Sequence, residues 1–106
     1  MSVEVRYNPS EQRFEIYEDA VRVGLADYSI AGDRLSLLHT EISPEFGGRG
    51  LAKQLISFAL DHIRDRHLQV LPICPYTLRV ITENQDAYLD LVPSTERERF
   101  KLPAGN

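Results

Sequence analysis

Hydrophobic and polar residues alternate along the first 42 residues with the period of two that is typical of β-strands. The alternation predicts four strands separated by short turns, at residues 3–7, 13–17, 21–28 and 35–42. Short turns connect antiparallel neighbours, so we expect an antiparallel meander. Gly24 inside the third strand indicates a bulge or a close backbone approach. The adjacent Leu37 and Leu38 indicate that the fourth strand is central and covered on both faces.

The period changes to that of an α-helix after residue 50. Apolar residues recur at helical spacing, at Leu51, Ala52, Leu55, Ile56, Ala59, Leu60 and Ile63. They predict an amphipathic helix over 51–66, and the apolar run that follows predicts a short buried strand over 68–73. A strand, a helix and a second strand in this order form a β-α-β unit, so we expect the fourth and fifth strands to be parallel.

Prolines mark the end of the fifth strand. Pro72 has no backbone N–H to donate to a sheet, so pairing is expected to stop there, and Pro75 suits the first turn of a helix over 76–83. A further short helical segment is expected over 87–92. These elements predict an α/β domain with a mixed sheet over residues 1–93, followed by a charged, frayed C-terminal tail over 94–106.

Composition narrows the function classes. At 106 residues the chain has room for one core, and no apolar run approaches the roughly 20 residues that span a membrane. The N-terminal residues lack the basic and apolar regions of a signal peptide, which predicts a cytoplasmic protein. The formal net charge of −4 argues against general nucleic-acid binding. The single cysteine, Cys74, excludes an intramolecular disulfide, and the histidines lack metal-ligand spacing, so no metal is expected.

The segment between the fourth strand and the long helix carries the strongest functional signal. This glycine turn (residues 47–52) begins with Gly47, Gly48, Arg49 and Gly50. Glycine lets a ligand approach the backbone closely, and the first N–H groups of a helix have no partner within the helix. Such a turn forms a cradle for phosphate oxygens, with Arg49 and Lys53 as candidate cationic side chains. The alternative interpretation is an ordinary tight loop.

The order of elements, together with this turn, resembles the GNAT acyltransferase fold. The signature turn of that family reads Gln/Arg-x-x-Gly-x-Gly/Ala, and this sequence matches it at Gly50 and Ala52. The sequence departs at the first position, where Gly47 stands in place of Gln or Arg. The resemblance implies a minimal version of the GNAT-like acyl-CoA N-acyltransferase fold, built from the antiparallel meander and the β-α-β unit.

Further motifs resemble the small single-domain subgroup of this family, which has a cysteine just after its fifth strand. They occur in the same order over residues 5–92, as His39-Thr40-Glu41, Pro44-Glu45-Phe46, Gly48-Arg49-Gly50, Pro72-Ile73-Cys74-Pro75-Tyr76 and Tyr88-Leu89-Asp90-Leu91-Val92. The resemblance implies acetyl-CoA, or CoA, as the cofactor. It implies an amine as the acetyl acceptor and leaves open whether that amine belongs to a small molecule or a polypeptide.

The resemblance also implies where the cofactor binds. The backbone N–H groups of the glycine turn face the pyrophosphate, and the N-terminus of the helix adds favourable partial charge. The pantetheine arm pairs with the fourth strand as an added strand, and the acetyl group lies where the fourth and fifth strands splay apart. The implied cofactor-binding residues are Ile42, Gly47, Gly48, Arg49, Gly50, Leu51, Ala52 and Lys53.

Candidate catalytic residues follow from the chemistry of acetyl transfer to an amine. A lysine-like amine has a pKa of roughly 10.4, so a base must take its proton at neutral pH. His39 and Glu41 are two residues apart on a strand and share a face, so either could serve; the alternatives are a core histidine and a solvent-facing carboxylate. The family commonly uses a tyrosine after the fifth strand to donate to the departing thiolate. Tyr76 and Tyr88 are the candidates, and core packing is the alternative for Tyr88.

Cys74 permits a different mechanism, in which its thiolate takes the acetyl group first. That mechanism needs a thiol pKa lowered by a nearby cation or a helix N-terminus. Pro75 begins a predicted helix, and His39 is the candidate partner. The alternatives are a non-covalent role in the site and packing as a small hydrophobic residue.

The sequence therefore predicts an acetyl-CoA-dependent N-acetyltransferase that works by direct attack of the amine. The alternative is a non-catalytic module that senses acyl-CoA or binds a protein partner. The N-terminal helices that help to wall the acceptor groove in larger relatives are missing from the predicted elements. We therefore expect an open acceptor site, suited to a polypeptide or completed by a second subunit in a homodimer.

Overall fold

Five strands form one mixed sheet in the computed structural model, which describes residues 2–104. The strands are β1 (Val3–Asn8), β2 (Arg13–Glu18), β3 (Val21–Ala31), β4 (Arg34–Ile42) and β5 (Gln69–Pro72). They lie in sequence order across the sheet, with β1 to β4 antiparallel and β5 parallel to β4. The predicted meander and the predicted parallel pair are therefore both confirmed.

Helices pack on the sheet and close the core. The helices are α1 (Leu51–Asp65), α2 (Pro75–Glu83) and the short α3 (Gln85–Tyr88). Helix α1 contacts all five strands, and its apolar stripe is buried at Leu51, Leu55, Ile56, Ala59, Leu60 and Ile63. Helix α2 packs against α1 and β5. Within residues 2–104, no helix has the length and apolar character needed to cross a membrane.

The segment after Pro93 departs from the expected frayed tail. Leu102 is buried and belongs to the same core as α1, and Phe100 packs against that core. The Arg97 guanidinium holds the segment in place, because its Nε donates to the carbonyl of Val92 at 3.0 Å and its Nη1 to the carbonyl of Ala104 at 3.1 Å. The apolar residues at 100 and 102 outweigh the charge of their neighbours and fold the chain back.

The doublet Leu37–Leu38 has a different cause from the one expected. Leu37 is buried, whereas Leu38 is 42% exposed, so β4 is central but not covered on both faces. The pairing of β4 with β3 shifts register between Asp27 and Tyr28, which leaves Leu38 as the extra residue of a β-bulge. The second leucine is therefore the inserted residue of the bulge and faces solvent, not a second covered face of the sheet.

The bulge sorts the side chains at the end of β4 onto two faces. Thr40 pairs with the buried Ala26 and Ile42 pairs with the buried Gly24, so both lie on the core face. His39 and Glu41 lie on the opposite face of the sheet. The expectation that His39 and Glu41 share a face is confirmed, and Thr40 lies on the other face.

Strand pairing between β4 and β5 stops at Leu37 and Pro72. The amide N–H of Cys74 still donates to the carbonyl of Leu37, at 2.8 Å, and the chain then enters α2. Strand β4 continues to Ile42 with β3 as its neighbour on one side. Residues 38–42 therefore present a strand edge that β5 does not occupy, at the place where the splay was predicted.

Gly24 allows β3 and β4 to approach closely at this end of the sheet. A Cβ at position 24 would lie 2.5 Å from Ile42 Cδ1 and 2.6 Å from the carbonyl oxygen of Glu41. A register shift against β2 lies next to Gly24. Both predicted reasons for a glycine here, a bulge and a close approach, are present.

We predict that Gly24→Ala destabilises the protein by about 1–3 kcal/mol, because the new methyl group overlaps packed backbone and side-chain atoms. The free energy of unfolding from urea titration measures the effect. Gly47→Ala is the matched control, since a Cβ at position 47 meets only the carbonyl oxygen of Pro44, at 3.4 Å. Equal stability of the two variants would contradict the prediction.

Candidate functional site

The glycine turn joins the end of β4 to the start of α1. Gly48 and Gly50 have left-handed backbone conformations, with φ of 77° and 74°, which other L residues adopt only at a cost. Gly50 is the N-cap residue of α1 and supplies no side-chain cap, so the first N–H groups of the helix keep their hydrogen-bonding capacity. A Cβ at position 48 or 50 would meet no atom within 4 Å. The glycines therefore border open space and are not required by packing within the protein.

That open space is a cavity of about 340 Å³, which we call the turn cavity. It is lined by Ile42, Phe46, Gly47, Gly48, Gly50, Leu51, Ala52 and Tyr76. Six of the eight predicted cofactor-binding residues lie on this lining, and Tyr76 reaches it from α2. The turn cavity therefore brings together the end of β4, the N-terminus of α1 and the first turn of α2.

The two predicted cationic residues do not line the turn cavity. The guanidinium of Arg49 points to β2, where its Nη1 donates to both carboxylate oxygens of Glu18 at 3.0 Å each. Lys53 is exposed on the surface of α1. A buried carboxylate near a turn draws in a guanidinium because an unpaired buried charge is costly.

A second hollow, of about 300 Å³, lies on the other side of Ile42, and we call it the strand hollow. It is lined by Arg22, Val23, Gly24, Leu25, Glu41, Ile42, Ser43 and Pro44. Glu41 is thus placed next to a space that adjoins the turn cavity, with Ile42 as the shared wall.

His39 and Glu41 form a contact pair on the exposed face of β4. His39 Nε2 lies 3.0 Å from Glu41 Oε1, and the two side chains are 58% and 61% exposed. His39 is therefore not a core histidine, and Glu41 is a solvent-facing carboxylate.

Cys74 is buried at the N-cap position of α2, on the side of the sheet away from His39. Its Sγ donates to Thr40 Oγ1 at 3.3 Å, so the expected partnership with His39 is wrong: the bulge turns His39 to the opposite face. The hydroxyl of Thr77 is buried nearby and has no hydrogen-bond partner in the described part of the chain. Burial raises the pKa of the Cys74 thiol, but hydrogen bonds from Thr40 and from the first turn of α2 outweigh it and leave the pKa below its ordinary value.

The two candidate tyrosines line different cavities. Tyr76 is partly exposed and lines the turn cavity. Tyr88 packs against the core and borders a different cavity, beside the ion pair of Arg64 with Asp90. Of the two, only Tyr76 lines the same cavity as the glycine turn.

Sequence reasoning left four site residues without an assigned role. They are Glu18, Thr40, Phe46 and Thr77. The position of Thr77 near Cys74 could have been predicted from the sequence. A residue three positions after an N-cap lies in the first turn of the helix, close to the side chain of the cap residue. The contact of Glu18 with Arg49 could not have been predicted in this way, since the two residues are 31 positions apart and meet only in the folded chain.

Comparison with known proteins gives a consistent result. A family model described as GCN5-related N-acetyl-transferase matches residues 13–91. Protein NATD1 from Bos taurus is 36% identical over 58 residues, which are 54% of this chain and 51% of NATD1. The chain thus spans about half the length of the curated relatives it matches.

Two solved structures share its fold. A GCN5-like protein from Staphylococcus aureus, solved by NMR, is 24% identical with a TM-score of 0.64, covering 85% of this chain and 87% of that one. The aminoglycoside N-acetyltransferase AAC(6′)-Iy in complex with CoA is 25% identical with a TM-score of 0.50, and the match covers 74% of this chain and 64% of that one. The five-stranded sheet and its helices therefore form a GNAT-type fold.

We predict that Thr40→Val raises the pKa of the Cys74 thiol, because the valine cannot donate a hydrogen bond to the thiolate. The pH dependence of the alkylation rate, or of thiolate absorbance, measures the pKa. Thr82→Val, on the helix that Cys74 caps, is the control, since the Thr82 hydroxyl donates to the carbonyl of Leu78 instead. Identical titration curves for wild type and Thr40→Val would contradict the prediction.

Proposed function

Because the chain belongs to the GCN5-related N-acetyltransferase family, we propose that it binds acetyl-CoA and transfers the acetyl group to an amine. The observation that carries the proposal is the pair of left-handed glycines, Gly48 and Gly50, which border open space at a helix N-terminus. A Cβ there would enter the space that a phosphate needs. We also propose that the chain belongs to the small subgroup with a cysteine after β5, on the strength of Cys74 and its flanking prolines.

The residues around the turn cavity fit the parts of CoA. The backbone N–H groups of the glycine turn suit the pyrophosphate, and the partial charge of the α1 N-terminus contributes roughly 0.3–1 kcal/mol for an anion at an exposed site. The free edge of residues 38–42 suits the amide groups of the pantetheine arm, as an added strand would. Acetyl-CoA supplies the acetyl thioester, and the residues near the gap between β4 and β5 handle the protons.

The direct route uses the pair on the exposed face of β4. Glu41, hydrogen-bonded to His39, takes a proton from the amine, directly or through water, as the nitrogen attacks the acetyl carbonyl. The new C–N bond forms as the C–S bond breaks. Tyr76 lies on the turn cavity and donates a proton to the departing sulfur. The strand hollow beside Glu41 is the proposed place for the acceptor.

A second route is favoured by the surroundings of Cys74. Its thiolate is stabilised by Thr40 and by the first turn of α2, as a nucleophilic cysteine requires. The Cys74 sulfur would form a thioester with the acetyl group while the C–S bond to CoA breaks. The amine would then attack that thioester, losing a proton to solvent as the C–N bond forms, and the Cys74 thiolate would leave as the C–S bond breaks.

The finer features stay predictions. The acceptor, small molecule or polypeptide, is not assigned, and neither is the homodimer that would complete an open site. The cytoplasmic location is likewise a prediction from the sequence. The competing function is a non-catalytic acyl-CoA-binding or protein-interaction module. The observation that supports it is the solvent exposure of His39 and Glu41.

We predict that Gly50→Ala weakens CoA binding at least about tenfold, because the methyl group strains a left-handed residue and enters the cradle. Isothermal titration with CoA measures the dissociation constant. Gly32→Ala is the matched control: Gly32 is also left-handed, with φ of 61°, and also borders open space, but it lies in the turn between β3 and β4. A folded wild-type protein that fails to bind millimolar CoA or acetyl-CoA would overturn the proposed function.

For the direct route we predict that Glu41→Gln lowers kcat about 10²-fold or more across an amine acceptor panel, because a general base is lost. Glu45→Gln, an exposed glutamate near the turn, is the control. Intact mass of the wild type, incubated with acetyl-CoA and no acceptor, should show no acetyl adduct. An adduct that disappears in Cys74→Ala would assign the covalent route instead, and CoA binding without turnover of any amine would favour the non-catalytic module.

A further inference from the structure

The ion pair between Glu18 and Arg49 links the sheet to the glycine turn. Glu18 is the last residue of β2, and Arg49 lies between the two left-handed glycines of the turn. Arg49 Nη1 donates to Oε1 and to Oε2 of Glu18, each at 3.0 Å. The proposed mechanism gives neither side chain a task, since Arg49 is turned away from the turn cavity.

The pair is asymmetric in its exposure. The Glu18 side chain is 6% exposed, and that of Arg49 is 44% exposed. A carboxylate this buried needs a hydrogen-bonded cation, because removing the partner of a buried charge is far more costly than losing an exposed pair. The Glu18 carboxylate therefore fixes the position of the guanidinium, and not the reverse.

The guanidinium also contacts the residue that precedes the turn. Its central carbon lies 5.1 Å from the centre of the Phe46 ring, within the range of a cation–π contact. Phe46 precedes the glycine turn and lines the turn cavity together with Gly48 and Gly50. Glycines carry the largest conformational freedom of any residue, so the turn depends on contacts from outside to hold one shape.

We propose that Glu18 is a positioning residue for the glycine turn: through Arg49 it holds the backbone N–H groups of the turn in the arrangement that a pyrophosphate needs. The inference rests on the proposed CoA site, but it assigns Arg49 to the sheet and not to the phosphate. Gly47, at the first position of the turn, has no side chain that could hold the turn in place. The ion pair between Glu18 and Arg49 gives this chain a side-chain constraint on the turn that position 47 does not supply.

The test compares Glu18→Gln, Arg49→Gln and the double variant with wild type. Glu4→Gln is the matched control, since Glu4 forms an ion pair with Arg6 at the exposed β1 edge of the same sheet. Amide hydrogen exchange over residues 47–52 in ligand-free protein reports the order of the turn. Isothermal titration with CoA reports the dissociation constant.

We expect faster exchange in the turn for both single variants, and a dissociation constant raised about five- to tenfold, at the lower end of coupling between a ligand and a remote group. The double variant should match the single ones, because both substitutions remove one interaction. Should Arg49→Gln fail to fold because it leaves a buried carboxylate without its cation, Glu18→Gln breaks the same pair and leaves only the exposed guanidinium without its partner.

Other outcomes would overturn the inference. Tighter CoA binding by Glu18→Gln would mean that Glu18 competes with the phosphates for Arg49. Weaker binding by Arg49→Gln alone would mean that Arg49 contacts the phosphates. Amide hydrogen exchange is measured without ligand, so unchanged exchange over residues 47–52 in Glu18→Gln would overturn the positioning role of Glu18. A wild-type protein that binds no CoA would instead overturn the proposed function.

Discussion

Strands β4 and β5 pair only as far as Leu37 and Pro72, and the functional region depends on that limit. A proline has no N–H with which to continue the ladder, so the chain leaves the sheet and enters α2 three residues later. Three consequences follow from this one constraint. The end of β4 keeps a free edge, Cys74 is placed at a helix N-terminus, and Tyr76 reaches the turn cavity.

The bulge at Leu38 divides the chemistry of β4 between the two faces of the sheet. Without the extra residue, the side chains that follow would exchange sides, because register determines the face of every later residue. With it, Thr40 meets the thiol of Cys74, and His39 and Glu41 form a separate pair on the other face. Within three residues, β4 thus carries the hydroxyl that contacts the thiol on one face and the His39–Glu41 pair on the other.

The sequence predicted the parts of the fold that depend on local periodicity and turn chemistry. The meander, helix α1, the parallel fifth strand and the helix after Pro75 all follow from spacing that a short window of residues contains. Contacts between distant segments were not predictable in this way. Arg49 meets Glu18 from 31 positions away, Leu102 returns to the core, and His39 is turned away from Cys74 by a bulge whose only trace is a leucine doublet. The chemical roles of the site residues stay predictions for the same reason, since they depend on ligands that the chain alone does not specify.

Ile42 separates the turn cavity from the strand hollow, and its Cδ1 atom also occupies the place where a side chain at position 24 would project. One side chain therefore sets the size of two neighbouring spaces and the fit of two strands. A change of side-chain volume at position 42 would therefore alter both spaces and the packing of the sheet together. Position 42 should therefore tolerate fewer changes of volume than the other residues that line the strand hollow.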